Sequence, residues 1–279
     1  EALPVAGGAM MVGIPDYRLD KKVLRREIAA IEQLGVEIRL NTAIGKDATI
    51  AELRAQGYRA IFLSPGAQHG QRLRCPGEGQ SGVVEAVNFL RRVNLGEAVT
   101  VGERVAVVGG GNVSMDAART AIRTGAKKVH LVYRRLREHM TAHKDEVREA
   151  EEEGIEMHFL AAPLEVLGNG TVTGLRCQRM RLGAYDDSGR PQPEPIAGAE
   201  FVLDVDTVIP AIGQNIDLSF ISPDLGLQTG RGGLVAADPY TMATNVPGIF
   251  AGGDAVLGPA TVIEAIAQGE KAAVSIDRY

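Results

Sequence analysis

The sequence has few of the residues that build disulfide, metal or aromatic-rich structures. Its 279 residues include two cysteines and no tryptophan, and aromatic residues make up 4%. Cys75 and Cys177 are far apart in the sequence, so they predict neither a disulfide framework nor an iron–sulfur or zinc site. We therefore expect a protein of the reducing cytoplasm with no metal site and no redox-active dithiol.

Excess positive charge and long apolar runs are also absent. Lys and Arg number 30 against 35 Asp and Glu, a formal net charge of −5, which gives no electrostatic support for nucleic-acid binding. No apolar run approaches the ~20 residues that span a bilayer, and the first residues do not resemble a secretory leader. We expect neither nucleic acid nor membrane as a partner. Hydrophobic residues reach 45%, enough for the core of a globular chain.

Helical and strand patterns alternate along the chain, which favours a parallel α/β fold. The clearest succession is a strand at 104–108, a helix at 112–124 and a second strand at 129–133. Other predicted helices are 20–34, 144–153 and 261–277; predicted strands are 36–40, 60–63, 155–160 and 207–212; residues 183–198, rich in Pro, Gly and Asp, are expected to form a surface loop.

The domain organisation follows from a polar stretch at 97–103, after which a new unit begins. We place one nucleotide-binding domain at 98–222. The flanking pieces, 1–97 and 223–279, are expected to form a second domain together.

A glycine-rich turn carries the strongest local signal. Gly109, Gly111 and Ser114 occupy a GxGxxG/A frame directly after one predicted strand and at the start of a helix. The first glycine allows the tight turn, the second lets the backbone approach a pyrophosphate, and a small third residue lets helix pack on strand. The helix N-terminus presents unpaired N–H groups to the phosphates. The predicted nucleotide contacts are Gly109, Gly110, Gly111, Asn112, Val113 and Ser114.

The end of the next predicted strand indicates which nucleotide binds. An NAD-binding unit normally has Asp or Glu about 20 residues after the glycines, where the ribose hydroxyls are held. Here Tyr133 is followed by Arg134 and Arg135, and the first acid is Glu138. Two guanidinium groups attract a 2′-phosphate, which a carboxylate would repel. NADP(H) is therefore favoured over NAD(H), with Arg134 and Arg135 as the phosphate clamp.

A second signal lies near the C-terminus, in GIFAGGDAVLGPATVIEAIAQG at 248–269. It resembles the FAD-binding C-terminal signature of flavoproteins with two dinucleotide-binding domains. Further matches are AGGAMMVGIPDYRLDKKVLRREI, GVEIRLNTAIGKD, VAVVGGGNVSMDAARTAIRTGAKKVHLVYRR and DTVIPAIGQ. Over essentially its whole length the chain resembles the small subunit of bacterial glutamate synthase and its relatives, which include domains of dihydropyrimidine dehydrogenase and of electron-bifurcating ferredoxin–NADP oxidoreductases.

The resemblance implies two Rossmann-like domains, with the NADP(H)-binding one inserted in an FAD-binding one. Asp254 would hydrogen-bond the ribityl or phosphate region of FAD. The helix N-terminus at Thr261 and Val262 would direct its positive end at the flavin and stabilise the anionic reduced form. Gly7 and Gly8 would lie close to the isoalloxazine. Glu1, Gly66, Gly213 and Gly253 complete the implied cofactor contacts.

Two departures from the family pattern stand out. The family begins with a strand–GxGxxG–helix unit that binds the FAD pyrophosphate, whereas this sequence opens at Glu1, which aligns with the acid that follows that unit. We therefore expect a segment supplied elsewhere to complete the FAD site. In addition, residues 64–67 read Ser-Pro-Gly-Ala where relatives commonly have Ala-Thr-Gly-Ala.

These observations favour an enzyme that passes hydride between NADPH and FAD, with electrons exchanged with an iron–sulfur partner. The flavin performs the chemistry, so no side chain is an obligatory catalyst. One alternative is a non-catalytic NADP(H)-binding sensor or docking module without functional flavin. A disulfide reductase is opposed by the lack of a Cys-x-x-Cys pair. His139 and His143, four residues apart, lack further ligands for a metal site.

Overall fold

The computed structural model describes residues 1–186 and 189–279. These residues form two compact units. The inserted unit comprises residues 12–18 and 70–213, and the flanking unit comprises residues 1–11, 19–69 and 214–279. The flanking unit is built from segments on both sides of the inserted one, so the chain leaves and re-enters it.

The unit bounds differ from the predicted 98–222. Residues 70–97 belong to the inserted unit because Phe89 and Leu90 are fully buried in the same core as Val105 and Met115. Residues 214–222 belong to the flanking unit. The polar stretch at 97–103 lies within the inserted unit and does not mark its start.

The helices and strands are numbered in chain order. The α-helices are α1 (Gly8–Val12), α2 (Lys21–Gln33), α3 (Ile50–Ala55), α4 (Ala86–Asn94), α5 (Asn112–Arg123), α6 (Lys144–Glu152), α7 (Asp254–Leu257) and α8 (Val262–Arg278). The strands are β1 (Ile61–Leu63), β2 (His69–Gly70), β3 (Arg104–Val108), β4 (Lys128–Tyr133), β5 (Glu156–Phe159), β6 (Ala161–Gly168), β7 (Val172–Tyr185), β8 (Pro191–Leu203), β9 (Thr207–Pro210), β10 (Gln214–Asn215) and β11 (Ile249–Ala251). Short 3₁₀ turns lie at Arg137–His139, Pro223–Leu225 and Arg231–Gly233.

A parallel four-stranded sheet forms the centre of the inserted unit, in the order β5-β4-β3-β9. Successive residues of β3 point to opposite faces of the sheet. Val105 and Val107 enter the core that contains residues of α4, α5 and α6. Ala106 and Val108 enter a second core, shared with the antiparallel sheet β6-β7-β8. Burial on both faces explains the continuous apolar run VAVV at 105–108.

The predicted surface loop at 183–198 is wrong over most of its length. β7 continues to Tyr185, and β8 pairs with it in antiparallel register from Pro191 onward; residues 187 and 188 lie outside the described residues. Because β8 is the edge strand of its sheet, prolines at alternate positions, Pro191, Pro193 and Pro195, fit where N–H groups face away from β7. Composition alone suggested a loop, but an edge strand accepts the same residues.

The flanking unit contains the short parallel pair β1–β11, with Ile61 opposite Ile249. Leu63, Ile249 and Ala251 share a buried core with Ile50. The predicted strand at 36–40 is wrong, because this segment is not in strand conformation; its neighbourhood makes single hydrogen bonds instead, such as Asn41 N to Leu3 O at 3.1 Å. Within the described residues, no helix combines the length and apolarity needed to cross a membrane.

A buried ionic network ties the 12–18 segment to α5 in the inserted unit. Arg18 Nη1 donates to both carboxylate oxygens of Asp116, at 2.9 and 2.7 Å, and Arg18 Nε lies 2.9 Å from Glu146 Oε1. Asp116 is 4% exposed. Burial disfavours its charge more than Arg18 favours it, which raises the pKa of Asp116 to about 6. Burial of the ionised Asp116 carboxylate therefore costs folding free energy, although the carboxylate is paired with Arg18.

The raised pKa predicts a specific pH dependence of stability. A carboxyl whose pKa is near 4 in the unfolded chain and about 6 in the folded one stabilises the fold below pH ~4, and that contribution is lost as pH rises through 6. In Asp116→Asn this titration is absent. We expect the wild-type advantage over the variant in urea unfolding to shrink between pH 4 and pH 7, by up to about 3 kcal/mol. A constant difference would contradict the raised pKa; Asp277→Asn, which removes an exposed carboxylate, is the control.

Candidate functional site

The predicted nucleotide contacts of the inserted unit lie at one edge of its parallel sheet. Because β3, β4 and β9 are parallel neighbours, their carboxyl ends meet at the same edge. β3 leads into Gly109, β4 into Arg134, and β9 into the 211–213 segment. Ligands of open α/β sheets bind at such an edge, so the topology brings the three predicted elements together.

The glycine turn leaves no room for a side chain at Gly109 or Gly110, but it does at Gly111. Gly109 has φ +150°, and a Cβ there would lie 2.3 Å from the carbonyl oxygen of Ala211. A Cβ on Gly110 would lie 2.4 Å from the ring of Tyr133. A Cβ on Gly111 would approach only Thr141 Oγ1, at 3.4 Å. Gly109 and Gly110 thus satisfy internal packing, while the face of Gly111 is open for a ligand.

Helix α5 begins directly at the glycine turn. Gly111 is its N-cap, with φ −104° and no side chain to cap the helix, so the first N–H groups remain available to an anion. Ser114 is fully buried and its hydroxyl donates to Gly111 O at 2.6 Å. Asn112 Oδ1 accepts from His143 N at 2.9 Å, and the partly buried Val113 packs against the helix-side core. The helix end therefore offers backbone donors, with Ser114 acting in packing.

The two predicted clamp arginines have different environments. Arg135 is 5% exposed; its Nε donates to Pro191 O at 2.7 Å and its Nη2 lies 3.2 Å from Asp186 Oδ2. Arg134 is exposed. Arg135 is thus engaged with the end of the β7–β8 hairpin, which argues against a clamp made of both arginines and leaves Arg134 as the one open to a ligand.

Sequence reasoning missed a third arginine at this edge. Arg190 Nη2 donates to Tyr133 Oη at 3.0 Å and to His139 O at 2.8 Å. Partial desolvation first, and then the positive charges of Arg135 and Arg190, lower the pKa of Arg134, which remains charged. No sequence signal near the glycine motif reveals Arg190, because it lies 57 residues from Tyr133 and reaches it through the hairpin.

These residues fit a phosphorylated dinucleotide. An open glycine face at a helix N-terminus suits a pyrophosphate, and an exposed guanidinium among like charges suits a further phosphate dianion. Gly213 follows β9 at the same edge; its carbonyl accepts from Gln71 N at 2.9 Å, and its φ of +133° favours glycine. Gly213 therefore shapes the loop beside the glycine turn.

In the flanking unit, the predicted flavin contacts surround the end of β11. Gly253 has φ +66°, and a Cβ there would meet only Ala265, at 3.7 Å. Its N–H donates to Gln268 Oε1 at 2.7 Å, a contact that sequence reasoning missed. Asp254 is half-buried and Oδ1 accepts from Ala260 N at 3.2 Å; burial raises the pKa of this carboxyl. An open glycine turn with an adjacent carboxylate fits the hydroxyl-rich part of FAD.

The N-terminus of α8 is capped by a negatively charged side chain of the helix itself, Glu264. Thr261 and Glu264 form a capping box, in which Glu264 Oε2 accepts from Thr261 N at 2.9 Å and Thr261 Oγ1 accepts from Glu264 N at 3.3 Å. Hydrogen bonds from Thr261 lower the pKa of Glu264. The positive end predicted for the flavin at Thr261 and Val262 is therefore partly offset by Glu264. The T-x-x-E spacing would have revealed this box.

The remaining predicted flavin contacts lie in the N-terminal part of the flanking unit. Glu1 is exposed, and its Oε1 accepts from Leu3 N at 2.8 Å. A Cβ on Gly7 would press on Leu24 and Ile28 of α2, whereas Gly8, at φ +52°, faces open space. Gly66 has φ +72° in the turn after β1. Gly8 thus presents open backbone and Gly7 serves close packing, whereas a Cβ on Gly66 would lie 3.3 Å from Gln68 Nε2.

Comparison with known proteins places this arrangement in a family. Residues 14–269 match the family described as pyridine nucleotide-disulphide oxidoreductase. The chain is 52% identical to the beta subunit of NADP(+)-dependent formate dehydrogenase of Moorella thermoacetica, over 100% of this chain and 40% of that protein. It is 40% identical to a putative glutamate synthase [NADPH] small chain of Cereibacter sphaeroides, over 98% of this chain and 68% of that protein.

A solved structure shows the same fold. Mycobacterium tuberculosis FprA, determined in complex with NADPH, superposes with a TM-score of 0.80 at 19% identity, over 99% of this chain and 76% of that chain. The chain belongs to the pyridine nucleotide-disulphide oxidoreductase family and is similar within it to glutamate synthase small chains. The predictions of the fold class, of an enzyme, and of FAD and NADP(H) as cofactors are confirmed at the level of the family.

Proposed function

We propose that this chain, as a member of that family, binds NADPH in its inserted unit and supports hydride exchange between NADPH and FAD. The pyrophosphate lies against Gly111 and the N-terminus of α5. The 2′-phosphate lies against Arg134, with Arg190 adding positive charge. The protein contributes alignment and electrostatics, which suffice for hydride transfer between two cofactors.

One observation carries the proposal: an open glycine face, a helix N-terminus and an exposed arginine meet at one sheet edge. The ring of Tyr133 lies against Gly110, and Arg134 is the next residue. A pyrophosphate and a 2′-phosphate belong to one molecule only in NADP(H)-type nucleotides, so the combination favours NADPH over NADH. The relative that is named a formate dehydrogenase subunit is also named for NADP(+), which supports this choice.

FAD, when bound, supplies the exchange between two-electron and one-electron chemistry. We assign its contacts in this chain to Gly8, Gly66, Gly253 and Asp254, with Thr261 and Val262 at the entry of α8. The residues of the flanking unit contain no GxGxxG frame, so we assign the FAD pyrophosphate to a segment beyond these 279 residues. Ile263 and Ile266 of α8 are exposed apolar side chains, which supports contact between α8 and a further protein segment.

The partner that exchanges electrons with the flavin is proposed to be an iron–sulfur protein or domain. The chain spans 40% of the formate dehydrogenase subunit that it resembles, and both relatives are named as one subunit of a larger enzyme. The cysteines of this chain suit no such cluster, since both Cys75 and Cys177 are free and far apart in sequence. We place the assembly in the cytoplasm, where free thiols persist.

Disulfide reduction, which the family name includes, finds no support in this chain. Burial raises the pKa of the Cys177 thiol to about 12, and burial together with Glu78 raises the pKa of the Cys75 thiol. The thiolate is the reactive form in disulfide exchange, so neither sulfur is a competent nucleophile.

The proposal is tested by anaerobic visible spectroscopy of the purified chain with added FAD. We expect bound flavin to bleach on addition of NADPH, and more slowly with NADH. NADPH binding measured by calorimetry without flavin binding would mean either that the flavin site needs the segment beyond these residues or that the chain is a non-catalytic NADP(H)-binding module. Absence of NADPH binding would contradict both functions.

A further inference from the structure

Three potential metal ligands converge on the face of the inserted unit's parallel sheet that carries Ala106 and Val132. His130 lies on β4, and Glu156 and His158 lie on β5; Glu156 is directly opposite His130, and His158 is opposite Val132. Because successive side chains of a strand point to opposite faces of the sheet, His130, Glu156 and His158 lie on the same face. Their ligand atoms all lie within 4.8 Å of one another.

The separations are close to those of ligands on one small cation. His130 Nδ1 lies 2.9 Å from His158 Nε2 and 3.2 Å from Glu156 Oε2. Tetrahedral zinc with bonds of 2.0 to 2.1 Å holds neighbouring ligand atoms about 3.3 Å apart. His130 Nδ1 therefore needs to move away from the other two atoms by no more than a few tenths of an ångström to admit the ion.

The surroundings orient the ligands and leave a path for entry. Lys128 Nζ lies 3.1 Å from Glu156 Oε1, which fixes the carboxylate and leaves Oε2 towards the histidines. The ring of His158 stacks on the ring of Phe201, with 6.1 Å between the ring centroids. The guanidinium group of Arg179 lies over the ring of Phe201. His130 is buried, whereas Glu156 is exposed, so an ion reaches the cluster from the solvent side.

We propose that His130, Glu156 and His158 bind a divalent transition metal, with Zn²⁺ as the occupant. Two imidazoles and one carboxylate are a common zinc ligand set, with a fourth position left for water. The ion cross-links β4 and β5 on the sheet face that carries Ala106 and Val132.

Without metal, a proton on His130 Nδ1 accounts for the same short contacts, since it reaches both His158 Nε2 and Glu156 Oε2. This hydrogen-bonded arrangement is the competing interpretation. The two differ in one measurable respect: only three ligands that converge on one point are expected to bind zinc tightly enough to stabilise the folded state by mass action.

Zinc titration of the purified chain tests the site, with Zn²⁺ followed by calorimetry and Co²⁺ by its visible absorption. We expect one equivalent to bind, with a tetrahedral cobalt spectrum, and the melting temperature to rise with added Zn²⁺. Replacement of one ligand in His158→Gln is expected to weaken binding by at least about tenfold, because even partners outside the ligand set cost 10- to 100-fold when they are removed.

The matched control is His143→Gln, which removes an exposed histidine that lies outside the cluster. It is expected to bind zinc as the wild type does. Glu156→Gln changes an exposed side chain and so keeps the test valid if the His158 variant is unstable; it too is expected to lose affinity. Equal zinc binding by wild type and Glu156→Gln, or none by the wild type, would overturn the proposal in favour of the hydrogen-bonded pair.

Discussion

Replacing Arg134 with alanine is expected to weaken NADPH binding about 10- to 100-fold while leaving NADH binding unchanged. A hydrogen bond to a charged group contributes about 1.5–3 kcal/mol, and each 1.4 kcal/mol is tenfold in affinity. Only NADPH carries the 2′-phosphate that faces this guanidinium in our proposal. Calorimetric titration of both nucleotides measures the effect directly and does not depend on flavin.

Arg135 provides an informative contrast with its neighbour. It is buried and bound to Pro191 O and Asp186, so Arg135→Ala leaves polar groups of the hairpin without their partner. Such a loss costs about 1–3 kcal/mol of stability. We therefore expect a lower melting temperature, with NADPH and NADH affected alike. A loss of NADPH preference in Arg135→Ala as well as in Arg134→Ala would restore the two-arginine clamp that the sequence suggested.

A surface control separates these effects from a general loss of charge. Arg137 lies in the next turn, is exposed and pairs with Glu151. Arg137→Ala removes the same charge from the same region, and we expect its affinity for both nucleotides to stay within twofold of the wild type, a change of about 0.4 kcal/mol. If Arg137→Ala matched Arg134→Ala, the preference for NADPH would reflect the net charge of the region and not a specific contact.

The sequence predicted well those elements whose stabilising contacts are local. The strand before Gly109 and the helix after it were predicted within one residue of β3 and α5, because a buried parallel strand is continuously apolar and the glycine turn marks the junction. Helix α2 begins after Asp20, which caps Lys22 N, a signal present in the sequence.

Prediction failed where partners distant in sequence decide the structure. The β7–β8 hairpin runs through a stretch rich in proline and glycine because β8 is an edge strand, and composition does not reveal an edge. Arg135 is buried and Arg134 is exposed because the side chain of Arg135 is the one that binds Pro191 O, 56 residues away in sequence. His130 and His158 meet because β4 and β5 pair in one particular register, which periodicity alone does not fix.

The glycines of the nucleotide turn were predicted as a set, yet the structure gives them different roles. Gly109 and Gly110 avoid clashes with Ala211 O and with the ring of Tyr133. Gly111 has an ordinary φ of −104° and an open face. Of the three glycines, only Gly111 has no packing or backbone requirement for glycine among the described residues, so we interpret its open face as the one that receives the ligand.

That difference leads to a prediction of large effect for Gly111→Ala. The new methyl group occupies the face on which we place the pyrophosphate and prevents close approach of the backbone donors. Loss of two such charge-assisted hydrogen bonds is expected to weaken binding about 100-fold or more. NADPH and NADH share the pyrophosphate, so both lose affinity, in contrast to Arg134→Ala. Stability is expected to fall by about 1 kcal/mol or less, since alanine is a poorer N-cap than glycine.

Two further glycine variants make the result decisive. In Gly109→Ala the methyl group would lie 2.3 Å from Ala211 O at a φ of +150°, so we expect a large drop in melting temperature. Gly79 is exposed, with open space around its Cβ position, and Gly79→Ala is expected to change neither stability nor affinity. If Gly111→Ala melted near the wild-type temperature and still bound NADPH normally, the pyrophosphate would not lie at this turn. The binding site would then have to be sought away from the N-terminus of α5, and the proposed roles of Arg134 and Arg190 would fall with it.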